Sequence, residues 1–246
     1  VRGALSQFLA SILINSIYAM KNYPVILINT VLSPLSFLIL ITLASGGSLI
    51  GEAVEGSLIM TMFSSGTSLQ GDLSHLKNDY HLQDMVVGSP ARAGAYVAGM
   101  TISELIYSSP ALVILSVLFY FYVHVTPLQL ATIVAVMLLM FLTSVSIGFL
   151  LATVSSDIVE SFAYTRLLST LFSTIPPVYY PITYIPLPWR YLAYLSPTTY
   201  ASEIAQNAAG LVRQTSTNID VAWLVLLAVT AVFFYISLTK ARWREK

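Results

Sequence analysis

Side chains able to do chemistry gather in residues 72–92, DLSHLKNDYHLQDMVVGSPAR, which hold Asp72, Lys77, Asp79, Asp84 and Arg92 with His75 and His81. Ser74-His75-Leu76-Lys77 has the spacing of a serine–lysine nucleophile, but the companion motifs of that chemistry are missing. His75 and Asp79 are four apart, so a helix would put both within reach of one metal ion. A solvated helix face accounts for the same pair. A further carboxylate, Glu104, lies inside an apolar run, where an acid costs roughly 2.5–3.5 kcal/mol. It must face protein or water, and a proton, a substrate or a base would each suit it. No P-loop, H-E-x-x-H, G-x-S-x-G or potassium-filter sequence occurs. The absence of cysteine excludes disulfides, thiolate metal sites and cysteine nucleophiles.

The surroundings of these residues are those of a membrane protein. The chain has 246 residues, 57% hydrophobic and 9% charged, against about 25% charged in soluble domains. Its net charge is zero, which gives no sign of a nucleic-acid partner. The expectation is an all-α polytopic membrane protein: one transmembrane domain over 1–246, with no room for a separate soluble enzyme.

In residues 3–20, Leu5, Phe8, Leu9, Ile12, Leu13, Ile17 and Met20 recur at helical spacing, with Ser6, Gln7, Ser11 and Asn15 mostly opposite. This pattern predicts an amphipathic interfacial helix. A signal peptide would show an uninterrupted apolar stretch and a small-residue cleavage site. Six spans are predicted, at 24–44, 53–71, 95–122, 128–154, 162–175 and 221–239. Pro34 should kink the first. The second is rich in Ser57, Thr61, Ser64, Ser65, Gly66, Thr67 and Ser68. Close helix packing and the wall of a polar pathway both fit that composition. Residues 155–161 are expected to be a polar loop carrying Asp157 and Glu160, and Arg166 in the fifth span is expected to snorkel.

Residues 176–211 hold six prolines and a dense set of aromatics, including Tyr179, Tyr180, Tyr184, Trp189, Tyr191, Tyr194 and Tyr200. The prolines forbid a continuous span, and the rings suit headgroup level. Ser196-Pro197 reads as a helix start. Two short broken helices that enter the membrane and return are expected, covered by protein or water. Six spans put both ends and 72–92 in one compartment. That side holds Arg2, Lys21, Lys77, Arg92, Lys240, Arg242, Arg244 and Lys246; the other holds Arg190 and Arg213. Basic residues flank spans on the cytoplasmic side, so the termini and the charged segment are expected in the cytoplasm and the aromatic region outside.

This order of elements resembles the transmembrane permease subunits of type 2 ATP-binding-cassette (ABC) exporters, over the whole chain. Two stretches carry the likeness. Leu82-Gln83-Asp84-Met85-Val86-Val87-Gly88-Ser89-Pro90-Ala91-Arg92 is similar to the family's short helix followed by a small-residue–Pro–x–Arg turn. Tyr180-Pro181-Ile182-Thr183-Tyr184-Ile185-Pro186-Leu187-Pro188-Trp189, with Leu195-Ser196-Pro197-Thr198-Thr199-Tyr200, resembles the aromatic and proline series before the last span. The segment before Met85 departs from the family's Glu-rich form.

The resemblance implies two permease subunits around a substrate pathway in the plasma membrane. Two separate cytoplasmic ATPase subunits would hold the ATP and Mg. Their coupling contacts would be a helix within 74–85 and its flanks, with His75, Lys77, Asp79, Asp84, Met85 and Arg92, and a lesser contact at Asp157 and Glu160. Ser57, Thr61, Ser64, Ser65, Ser68 and Glu104 would line the pathway. Tyr180, Pro181, Tyr184, Trp189 and Tyr200 would form the outer gate. The cargo would be an amphipathic drug, a lipid or a peptide. The rival is an ion-coupled secondary transporter using Glu104. Such folds often repeat broken helices in both halves, and only one half here contains them. A membrane-embedded enzyme lacks any catalytic constellation to support it.

Overall fold

The computed structural model describes residues 2–22, 24–78, 93–155, 157–174, 176–212 and 217–240. Among them there is no strand. The arm begins with α1 (Arg2–Ile12), continues through a π-helical turn (Leu13–Tyr18) and ends in α2 (Ala19–Asn22). Long helices follow: α3 (Pro24–Ala44), α4 (Ile50–Asn78), α5 (Ala93–Tyr122), α6 (Pro127–Val154) and α7 (Ile158–Thr174). Then come a 3-10 turn (Ile182–Tyr184), α8 (Arg190–Ala193), α9 (Pro197–Ala208) and α10 (Ile219–Lys240). Four segments among the described residues are long and apolar enough to cross a membrane: Leu27–Ala44, Tyr96–Tyr122, Pro127–Val154 and Ile219–Thr239. The 29-residue α4 has the length but is too polar, and α7 has only 17 residues.

Helix α4 is the hub, packed against α3, α5, α6, α7 and α9. Its residues 51–63 are all buried. A helix so rich in serine and threonine can be buried because its hydroxyls bond back to its own turns. Ser57 donates to the Ala53 carbonyl and Thr61 to that of Ser57, each at 2.7 Å. Glycine lets α6 come close. A Cβ on Gly66 would lie 1.9 Å from Ser144 Oγ and 2.8 Å from the Val145 nitrogen, and one on Gly148 3.0 Å from the Gly66 carbonyl oxygen.

Two expected boundaries are corrected. The second helix does not end at Gly71. It runs to Asn78, so 72–78 belong to α4 rather than to a separate segment. Its last turns stay helical because their polar groups meet α7 instead of water: Ser74 Oγ lies 2.5 Å from Ser161 Oγ, and the Thr165 hydroxyl donates to Gln70 Oε1. The expected loop 155–161 is half helix. The Asp157 carboxylate accepts the Glu160 N–H at 2.7 Å, and α7 starts at Ile158.

The arm turns its polar stripe inward. Ser11 is buried and donates to the Tyr96 carbonyl at 3.1 Å, and Gly99 on α5 leaves room for it. Leu5, Leu9, Leu13 and Ile17 are exposed. At the far end of the bundle, Thr126 and Gln129 form a capping box at the start of α6.

Candidate functional site

On α4, Ser57, Thr61, Ser65, Ser68 and Asp72 recur three or four residues apart and so share one face. Tertiary packing divides this stripe. Ser57 is covered by α3, its hydroxyl 3.3 Å from the Pro34 carbonyl oxygen. Thr61 is buried as well. Further along, the stripe meets Glu104 of α5. Ser65 donates to the Glu104 carbonyl at 3.0 Å, Ser68 donates to Glu104 Oε2, and the Asp72 side chain lines the same cleft as that of Glu104.

The pair faces a cleft of about 620 Å³. Helix α4 contributes Ser64, Ser65, Ser68, Asp72 and His75 to its wall, and α5 adds Glu104, Tyr107 and Ser108. Helix α3 adds Asn29, Thr30 and Ser33, the arm adds Asn15, and Phe162 of α7 closes one side. Glu104 is 8% exposed. His75 lies at the rim, its ring 6.0 Å from that of Phe162. The cleft therefore combines one acid pair, neutral amides and hydroxyls, and aromatic rings.

The residues expected to act together are sorted by this geometry. Of the pathway set, Ser64, Ser65, Ser68 and Glu104 line the cleft, whereas Ser57 and Thr61 sit in a helix contact. Of the coupling set, His75 belongs to the cleft rim. Asp157 caps α7, and Glu160 accepts the Tyr164 hydroxyl at 2.7 Å. The side chain of Lys77, and Asp79, Asp84, Met85 and Arg92 altogether, lie outside the described residues. Of the outer-gate set, Pro181 is buried, Tyr180 and Tyr200 are half-buried, and Tyr184 and Trp189 are exposed. That region is held by Arg190, whose guanidinium donates to the Ile185 carbonyl at 3.0 and 3.2 Å and to the Thr183 carbonyl at 3.2 Å. Ser196 caps α9, accepting the Thr198 N–H at 3.3 Å, and the Leu187–Pro188 peptide is cis.

Sequence reading missed Asn29, Thr30 and Ser33 as wall residues. Their signal was a polar patch in the turn and a half before Pro34 in an otherwise apolar helix. It also passed over Glu55, which is fully buried on α4, with neither carboxylate oxygen hydrogen-bonded among the described residues.

No curated protein matches the chain. Residues 6–209, from α1 to the end of α9, match the family model described as ABC-2 type transporter, and the chain belongs to that family of membrane permeases.

Proposed function

We propose that this chain is the permease subunit of an ATP-driven exporter. It crosses the plasma membrane six times, through α3, α4, α5, α6, α7 and α10. At 1.5 Å per residue α4 is about 43 Å long and α7 about 26 Å, against a hydrocarbon core of about 30 Å. Helix α4 can be this polar because its neighbours, not lipid, surround it. A slightly thinned bilayer accommodates α7. The arm lies at the cytoplasmic interface with its exposed leucines in lipid, and 176–211 forms a re-entrant outer region. Both termini are cytoplasmic.

Two such subunits pair around the pathway, and cytoplasmic ATPase subunits bind ATP and Mg beneath them. The end of α4 and the segment after it carry the ATPase stroke. This is supported by the continuity of α4: one helix joins the cleft wall at Ser65, Ser68 and Asp72 to residues 73–78, so a push on its end moves the wall. The cargo is amphipathic.

Affinity purification of the tagged protein from its native membrane, followed by an ATPase assay, tests the reading. The expected result is a co-purifying soluble ATPase whose turnover depends on an intact 74–85 segment. Asp84→Lys should leave the protein inserted and weaken ATPase binding or ATP-driven transport; unchanged transport would remove Asp84 from coupling. A clean preparation with no ATPase partner would overturn the exporter and favour ion-coupled transport, for which the Asp72–Glu104 pair is the candidate proton site.

A further inference from the structure

We propose that the cleft beside Glu104 binds a lipophilic monovalent cation, held by the Asp72–Glu104 carboxyl pair and the rings of Tyr107 and Phe162. The inference deepens the permease reading by naming the cargo's charge class, and it rests on that reading only for the claim that the bound molecule is cargo.

Volume is the first argument. About 620 Å³ falls within the roughly 300–1,000 Å³ of small-molecule sites, so the space suits an organic ion with an apolar body rather than a bare metal ion.

Charge is the second. Among the described lining residues there is no lysine or arginine, and His75 at the rim is the one that could become cationic. Asp72 and Glu104 bring two carboxyl groups to this wall, and the Ser68 hydroxyl orients that of Glu104. An acid at this depth is costly to ionise, and an incoming cation supplies a partner that no lysine or arginine among the described lining residues provides. A dianionic headgroup or a sugar phosphate would instead meet like charge.

Lining chemistry is the third. Aromatic faces attract cations, and Tyr107 and Phe162 line the same cleft as the acids. The remaining polar wall, Asn29, Thr30 and Ser33, is neutral and adds no second charge to be matched. The cleft thus distinguishes ligands by sign.

Equilibrium binding of radiolabelled tetraphenylphosphonium to the full chain in lipid nanodiscs tests this, with empty nanodiscs as background. Tetraphenylborate, of the same shape and opposite sign, is the control. The wild type should bind the phosphonium saturably and retain no more borate than empty discs. Asp72→Asn and Glu104→Gln alone should each shift the dissociation constant by no more than about threefold, because one carboxylate remains; together they should weaken binding by at least about tenfold. Equal phosphonium affinity in the wild type and the double variant overturns the proposal. Should the double variant fail to fold, the wild type still decides: saturable borate binding, or no saturable phosphonium binding, sinks it. Neither measurement involves an ATPase. Phosphonium binding without any ATPase partner would leave the cation site standing and end the exporter reading. An ATPase partner without phosphonium binding would do the reverse.

Discussion

Gly66 decides how closely α4 and α6 can approach. A Cβ there would meet backbone atoms of α6, the Val145 nitrogen at 2.8 Å and the Phe141 carbonyl oxygen at 2.9 Å, which cannot rotate away. Gly66→Ala is therefore expected to destabilise the bundle by about 1–3 kcal/mol, the usual cost of overpacking, seen as a lower melting midpoint in detergent. Gly71 provides the contrast on the same helix: its added Cβ would lie 3.4 Å from the Phe162 ring, an ordinary contact. Gly71→Ala should melt within about 1 kcal/mol of the wild type. Equal midpoints for both variants would show that α4 and α6 are not in backbone contact. Glu55 has no hydrogen-bond partner among the described residues and no exposed surface. Glu55→Gln keeps the shape and removes any ionised form, so its midpoint should equal or exceed the wild type's. A fall of more than about 2 kcal/mol would mean that the carboxylate is paired.

At the scale of elements, polar residues at helix ends set the boundaries. The Asp157 carboxylate accepts an N–H in the first turn of α7. Asp157→Ala should cost about 1 kcal/mol and speed amide exchange at the start of α7 without affecting α6, which has its own Thr126–Gln129 box. Two rungs join α7 to the end of α4, Ser74 with Ser161 and Thr165 with Gln70. Thr165→Val removes the second and leaves the buried Gln70 amide without its described partner, an expected loss of about 0.5–2 kcal/mol. These features explain the expectations that missed. Residues 155–161 are polar, and polarity beside an apolar run reads as loop; 72–78 reads as part of a separate charged segment. The stretches 72–78 and 158–161 continue α4 and begin α7 because these helices hide each other's polar groups, a pairing between residues about 90 positions apart that no local window contains. The apolar helices α3, α5, α6 and α10 were legible within a few residues, because their composition alone demands burial or lipid.

For the whole molecule, the absence of cysteine makes the proposed topology directly testable. Thr215→Cys should react with an impermeant thiol reagent from outside the cell, and Ser89→Cys only after the membrane is opened. The opposite pattern would invert the orientation.

By itself the sequence determined that the protein is helical and lipid-facing, that the second span carries a polar stripe through Ser57, Thr61 and Ser65, and that Glu104 must be shielded. Each follows from local composition or from the helical period. Only the tertiary structure decided where the stripe is covered and where it opens. Proximity of α3 at Pro34 closes it at Ser57, while the crossing of α5 sets Glu104 against Ser68 and Asp72 and leaves a cleft beside them. The period of a helix says which residues share a face; which neighbour covers that face depends on contacts between distant parts of the chain.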